Sequence, residues 1–288
     1  MLNCPNKKKM IDKNIKKRFE IFQDKTQKDQ SLLNYHNIRI NRYLALCGVG
    51  SRREVEKFIL EGKVLVNGVP VKDLTYKVKK DDLVVFQGKR ITPIKKHIYI
   101  ALNKPVGYVV THKHFKNERS IYDLIPTSLK QKYNLGYAGR LDKMSRGLVI
   151  LSSDGIFLHH LTHPKYKVLK KYYVQLDTPI LSYDLNLLTG RGVEDEGELL
   201  KAITIVVKDA EKNIYEVVLG EGKKRHIRRM FSALLYDVID LYRVAIGKLD
   251  LEKIPLKEGS FIEFDPSLIW EDNPENQYLF ELYKKLEK

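Results

Sequence analysis

The sequence is poor in cysteine and in long apolar runs. Only Cys4 and Cys47 occur among 288 residues, so neither a disulfide framework nor a thiolate metal site is supported. No apolar stretch reaches the ~20 residues that a helix needs to cross a bilayer. The first residues also lack the uninterrupted apolar segment of a secretory signal. We therefore expect a cytoplasmic protein that has no membrane partner.

Acidic residues are scarce relative to basic ones. The chain carries 52 Lys and Arg against 36 Asp and Glu, which gives a formal net charge of +16. Such an excess raises the local concentration of polyanions through counterion release and long-range attraction. Nucleic acid is therefore the predicted partner. The hydrophobic content of 43% is high enough for most of the chain to fold.

Composition divides the chain into four parts. Residues 1–35 are lysine-rich with few large apolar side chains, which predicts a basic flexible arm that either contacts RNA weakly or is a solvated tail. Residues 36–96 and 97–265 each have enough apolar residues for a domain. Residues 266–288 mix acids with aromatics and predict a tail or a short helix.

The first domain has the pattern of two short helices and a hairpin. Apolar residues recur at helical spacing over 40–47, before a glycine-rich break. Ser51 and Glu54 have the spacing of a capping box, which begins a second helix. Asn67-Gly68 lies between two apolar runs and predicts a tight turn, because both residues tolerate positive φ. The prediction is a small α/β domain.

Basic side chains surround these two helices. On charge alone, the simplest interpretation is that these side chains form a hydrated surface without a binding role. The segment IRINRYLALCGVGSRREVEKFILEGKVLVNG, residues 38–68, resembles an S4-type RNA-binding domain. The resemblance implies RNA contacts by six basic residues of this domain. They are Arg39, Arg42, Arg52, Arg53, Lys57 and Lys63.

From residue 97 onward, short apolar or alternating runs predominate, among them IYIALNKP, GLVILSS and KYYVQL. Such runs are typical of strands. Helical patterns near 156–162 and 224–235 do not alternate regularly with these strands. The sequence therefore predicts an α+β domain with a mixed, largely antiparallel sheet.

The segment GYAGRLDKMSRGLVILSSDG places Asp142 in a charged loop directly before a predicted buried strand. An isolated aspartate in such a loop usually caps a turn or pairs with a neighbour such as Arg140. Here the run Gly-Arg-Leu-Asp, followed by Ser145, a Gly-Leu pair and an Asp-Gly turn, resembles the central motif of a known family. That family is the ribosomal RNA pseudouridine synthases of types A, B, E and F, of which type A acts on small-subunit RNA and the others on large-subunit RNA.

Three further segments resemble this family in order and spacing. They are NKPVGYV at 103–109, HPKYKVLKKYYVQL at 163–176 and EGKKRHIRRMFSAL at 221–234, the last followed by Leu241 and Arg243. Two departures occur. Arg225-His226 stands where the family commonly has His-Gln, and Lys-Met-Ser follows Asp142 where Lys-Asp-Ser or Lys-Asp-Thr is more usual.

The resemblance implies isomerisation of a uridine within an RNA chain, without a cofactor or a metal. Asp142 matches the family's obligatory aspartate, which acts either covalently or by proton abstraction at the ribose. Tyr172 matches an aromatic that stacks on the base, although an ordinary strand tyrosine would look alike. Arg228 matches an arginine that pairs with the aspartate. These three residues are the predicted catalytic set.

Four more residues are predicted to bind the substrate. They are Arg140, Lys170, Leu241 as a wall of the uracil pocket, and Arg229 as the alternative to its neighbour Arg228. The histidines at 159, 160 and 163 lack the carboxylate of a zinc-protease arrangement, so no metal site is predicted.

The predicted partner is ribosomal RNA, and the preferred target is the large-subunit RNA. Small-subunit RNA is the alternative target. A non-enzymatic S4-type RNA-binding or ribosome-assembly protein would also suit the charge and the first domain. A methyltransferase is disfavoured because no G-x-G-x-x-G opens a helix. We expect a monomer.

Overall fold

The structure is a computed structural model that describes residues 37–94, 96–113, 116–254 and 256–270. The predicted arm at 1–35 and all but the first residues of the predicted tail at 266–288 lie outside the described residues. The chain divides into two compact units, Met1–Lys95 and Lys96–Lys288. Within the described residues, no helix is both long enough and apolar enough to span a membrane.

The described part of the first unit contains two short helices and six short strands. They are β1 Ile38–Arg39, α1 Ile40–Leu46, α2 Arg52–Leu60, β2 Val64–Val66, β3 Val69–Pro70, β4 Lys77–Val78, β5 Val84–Phe86 and β6 Lys89–Arg90. Strands β3, β2, β5 and β6 form an antiparallel sheet in that order, while β1 pairs with β4. The predicted small α/β domain is confirmed.

Local chemistry sets the ends of these elements. The Ser51 side chain accepts from the Glu54 amide and the Glu54 carboxylate accepts from the Ser51 amide, which confirms the capping box at the start of α2. Asn67 and Gly68 have φ of 52° and 83°, so the predicted hairpin turn is present between β2 and β3. The apolar faces of α1 and α2 pack on β2 around Leu44 and Ile59.

The second unit is built on one large sheet. Its strands are β7 Tyr99–Lys104, β8 Tyr108–Val109, β9 Arg119–Ser120, β10 Gly136–Ala138, β11 Arg146–Ser152, β12 Lys170–Leu176, β13 Val193–Asp195, β14 Glu198–Leu200, β15 Thr204–Asp209, β16 Ile214–Leu219, β17 Val238–Ile246, β18 Leu249–Asp250 and β19 Phe261–Glu263. The main order is β15-β16-β12-β17-β11-β7-β19, with β10 beside β11 and β18 beside β17. Within it only β11 and β17 pair in parallel, which confirms a mixed, largely antiparallel sheet.

Among the described residues of this unit, four α-helices accompany the sheet. They are α3 Thr127–Lys132, α4 Gly155–Thr162, α5 Ser182–Thr189 and α6 His226–Ser232. The structure confirms a helix near 156–162, where Asp154 caps the first turn. The helix predicted over 224–235 is shorter, because Arg225 adopts a left-handed conformation before it and Leu235, with φ of 66°, follows its end. Helices α3 and α5 were not predicted.

The parallel pair β11–β17 brings two distant segments into close backbone contact. Arg146 lies opposite Tyr242, and Gly147 lies opposite Arg243. Gly147 has φ of 109°, and a Cβ added there would lie 2.2 Å from the Arg243 carbonyl oxygen. Only glycine satisfies both the conformation and the contact. The strand that follows Asp142 is thereby held beside the strand that carries Leu241.

We predict that Gly147→Ala destabilises the protein by about 2 kcal/mol or more, because the methyl group meets rigid backbone and the φ is unfavourable for alanine. Urea unfolding monitored by circular dichroism measures the change. Gly155→Ala is the matched control, since an added Cβ there meets nothing within 4 Å. Equal stability of the two variants would contradict the close approach.

Candidate active site

A cleft opens in the second unit where separate segments of the chain converge. It is lined by the segment 138–142, by the end of α4, by β12, by the start of α6 and by β17. Among the predicted site residues, five line this cleft. They are Arg140, Asp142, Lys170, Tyr172 and Leu241.

Asp142 begins a turn that buried hydrogen bonds hold in place. The Ser145 amide donates to the Asp142 carbonyl at 3.0 Å, which closes the turn. The fully buried ammonium of Lys104 donates to the carbonyls of Ser145 at 2.5 Å, Pro105 at 3.0 Å and Lys143 at 3.4 Å. A buried donor shared among several loop carbonyls restricts the loop to one conformation. The half-buried Asp142 is therefore held rigidly at the cleft.

The charge on Lys104 is affected by its surroundings. Burial and, to a smaller extent, the nearby Arg243 lower the pKa of its ammonium to about 8, while Asp142 acts in the opposite direction. Lys104 lies in the family-like segment NKPVGYV at 103–109, which by itself predicts no role for it in the site. Its function as a support for the turn depends on tertiary contacts.

Arg228 lies behind this turn and does not line the cleft. Its guanidinium donates to the Val238 carbonyl at 2.7 Å and to the Ser145 hydroxyl at 3.4 Å. Burial lowers the Arg228 pKa, and the field of the Asp142 carboxylate partly offsets that effect. The described residues contain no direct ion pair between Arg228 and Asp142, so the pairing implied by the resemblance stays a prediction.

Tyr172 and Lys170 project from β12 into the cleft, as alternation along a strand requires. Tyr172 is buried and lies opposite Arg243 of β17. Lys170 is partly buried, and burial together with Arg243 lowers its pKa to about 8. Leu241 supplies an apolar wall, while Arg140 is exposed at the cleft. An aromatic ring, an apolar wall and cations thus surround one carboxylate.

Arg229 is not brought to the cleft. It forms ion pairs with Asp195 and with Glu198, the latter at 2.5 Å, and donates to the Asp195 carbonyl at 2.6 Å. Arg229 therefore anchors the β13–β14 hairpin. Neighbouring arginines point in different directions from a helix, and sequence spacing alone could not distinguish them.

Sequence reasoning missed Arg243 as a member of the cleft. It is buried, its Nε donates to the Leu148 carbonyl at 2.7 Å, and its Nη2 has no hydrogen-bond partner among the described residues. Leu241 and Arg243 share one face of β17 because side chains alternate. That alternation, applied to the matched Leu241, was the signal that would have found it.

The basic residues predicted to contact RNA lie on or beside α1 and α2 of the first unit. Arg52 and Arg53 are exposed in the first turn of α2. Lys63 is partly engaged, because it pairs with Glu61 at 2.6 Å and lies over the Phe58 ring. Arg39 and Lys57 are exposed, while Arg42 is half-buried.

The three clustered histidines form a ring cluster with Tyr166, in which His160 and Tyr166 meet edge to face at 4.5 Å between centroids. The part of the chain that the structure describes has no group of three His, Cys, Asp or Glu side chains placed to hold a metal ion.

We predict that Lys104→Met lowers kcat strongly with little effect on KM, because the Asp142 turn loses its support while the cleft wall remains. The free energy of unfolding should fall by about 2 kcal/mol, since buried carbonyls lose their donor. Lys143→Met, an exposed lysine of the same turn, is the control. A Lys104→Met enzyme with unchanged kcat would contradict this role. Steady-state kinetics and urea unfolding give both values.

Comparisons with known proteins identify the family of this chain. Residues 98–233 match the family described as RNA pseudouridylate synthase, and residues 38–84 match the S4 domain. A ribosomal small subunit pseudouridine synthase A of Vibrio vulnificus is 32% identical over 225 residues, which cover 78% of this chain and 94% of the relative.

A ribosomal large subunit pseudouridine synthase B of Bacillus subtilis is also 32% identical, over 74% of this chain and 87% of the relative. A crystal structure of a pseudouridylate synthase matches with a TM-score of 0.57 and 30% identity, and covers 81% of this chain and 98% of that one. Because these similarities extend over nearly whole proteins, the chain belongs to the RNA pseudouridine synthase family and carries an S4 domain ahead of its catalytic domain.

Proposed function

We propose that this pseudouridine synthase isomerises a specific uridine of ribosomal RNA, with Asp142 as its nucleophile. The observation that supports this most directly is the rigid presentation of Asp142 in a cleft that also contains Tyr172 and Leu241. Among the described residues that line the cleft, Asp142 is the only carboxylate. A non-enzymatic RNA-binding protein has no need for such an arrangement.

The reaction requires the uracil to leave ribose C1′ through N1, turn and rejoin through C5. The C5 proton is lost and N1 gains a proton, so no cofactor or external group donor is needed for the balance. The Asp142 carboxylate would act at the ribose, either at C1′ or by removing a proton. Tyr172 is placed to stack on the uracil and Leu241 to contact its edge.

Arg228 is proposed to position Asp142 rather than to touch the substrate. It reaches the turn through the Ser145 hydroxyl and is itself fixed by the Val238 carbonyl.

Cations on the cleft wall would bind the RNA backbone and help to hold the uridine outside its stack. Arg140, Lys170, Lys223 and Arg225 line the cleft together with Arg243. Unstacking a base costs a few kcal/mol, which phosphate contacts and stacking on Tyr172 offset. Arg140, being exposed, is placed to contact the displaced strand.

We propose large-subunit ribosomal RNA as the target, acted on by a monomer in the cytoplasm. Relatives named for the small and the large ribosomal subunit are each 32% identical to this chain, so small-subunit RNA is the other outcome of the test.

We predict that cells lacking the protein lose one pseudouridine from ribosomal RNA, and that the native chain but not Asp142→Ala restores it. Carbodiimide mapping of both ribosomal RNAs measures this and identifies the target RNA. An exposed aspartate variant, Asp81→Ala, serves as the control and should restore the modification. An unchanged map would refute a ribosomal RNA target.

We predict that the double variant Arg52→Ala/Arg53→Ala binds ribosomal RNA more weakly with a less steep salt dependence, while kcat is unchanged. Each lost phosphate contact should reduce the slope of log K against log salt by about 1. Filter binding at several salt concentrations measures the slope. Lys79→Ala/Lys80→Ala, which removes two exposed lysines of the same unit, is the control. Equal slopes for the two double variants would argue against a specific α2 contact.

A further inference from the structure

His226 is a buried polar residue of the cleft that the proposed mechanism does not use. It is the first residue of α6, it lines the cleft, and only 4% of its surface is exposed. Arg225, immediately before it, has φ of 51°. This left-handed residue turns the chain so that Arg225 stays exposed while the His226 ring is buried.

Both ring nitrogens of His226 are buried without a hydrogen bond of normal geometry to any described residue. The Lys201 backbone carbonyl is near enough to favour a proton on the ring. A neutral imidazole carries one N–H donor and one acceptor nitrogen. If the N–H is directed at Lys201, the acceptor nitrogen has no partner within the described protein. A buried polar atom without a partner costs about 1 to 3 kcal/mol, so its presence in a cleft calls for a ligand.

The imidazole is neutral at physiological pH. Burial is the largest effect and lowers the His226 pKa; Glu221 raises the pKa by less than burial lowers it, and Lys223, the Lys201 carbonyl and Glu198 have smaller effects. A neutral ring can accept a hydrogen bond, which an imidazolium cannot do.

We propose that His226 determines substrate specificity by accepting a hydrogen bond from an N–H or O–H group of the target nucleotide. The inference rests on the proposed function, because the occupant of the cleft is a uridine. Two groups of a uridine have the required chemistry, the N3–H of uracil and the 2′-hydroxyl of ribose. Cytidine lacks the first and deoxyuridine lacks the second.

Arg225-His226 stands where the family commonly has His-Gln, and this departure is consistent with the role proposed for His226. Glutamine is the residue usual at this place in the motif, and its side-chain oxygen is also an uncharged acceptor. The substitution of histidine keeps an acceptor in the cleft while changing its shape. A residue with only a packing role would not need a polar atom there.

The test compares the native enzyme with His226→Leu and His226→Gln, using transcribed ribosomal RNA and measuring pseudouridine formation. His226→Leu should lower kcat/KM about tenfold or more, while His226→Gln should stay within about threefold of the native value. His160→Leu is the control, because His160 is buried in the same unit but does not line the cleft. It should lower thermal stability without changing KM.

The donor is identified with short RNAs that span the mapped uridine and carry uridine, 3-deazauridine or 2′-deoxyuridine at that position. Dissociation constants are measured in an Asp142→Ala background, so that no turnover occurs. The penalty of His226→Leu should disappear for the one analogue that lacks the recognised donor. An equal penalty for all three RNAs, or none, overturns the proposal.

An outcome that overturns the role of His226 can be distinguished from one that overturns the proposed function. A native enzyme that forms no pseudouridine in ribosomal RNA would refute the ribosomal target. A native enzyme that is active, together with a fully active His226→Leu variant, would refute the role of His226 alone.

Discussion

The buried ammonium of Lys104 and the backbone carbonyls around it hold the site together. Through this contact the last residue of β7 fixes the turn that carries Asp142 and leads into β11. A carboxylate on a free loop would sample many positions, and the entropy of ordering it would be lost at each turnover. In this protein the turn is ordered during folding, so this entropy is not lost again at each turnover.

The second constraint is the close parallel contact of β11 with β17. Gly147 permits the two backbones to meet, and β17 then carries Leu241 and Arg243 to the same cleft as Asp142. Antiparallel pairing of β17 with β12 adds Tyr172 and Lys170. Three neighbouring strands thus carry the residues proposed to contact the base, several cations and the end of the turn that begins at Asp142, and rigid strands hold them more accurately than loops could.

The charge distribution follows from the same arrangement. Several cations surround a single carboxylate, and burial has lowered the pKa of Lys104 and Lys170. Repulsion among these cations destabilises the free protein, and a bound polyanion removes that repulsion. His226 differs from these cations, since it is neutral and offers an acceptor for a nucleotide donor.

The sequence by itself determined the fold class and the two domains, and it indicated Asp142, Tyr172 and Leu241 as candidate site residues, because local periodicity and motif spacing depend only on the order of residues. The capping box at Ser51 and the turn at Asn67 could also be predicted, because each depends on residues that are close together in the sequence. Only the tertiary structure decided that Arg228 faces the turn while Arg229 joins a hairpin, and that Lys104, His226 and Arg243 belong to the site. These assignments depend on side-chain directions and on contacts between segments far apart in the chain, which sequence spacing does not encode.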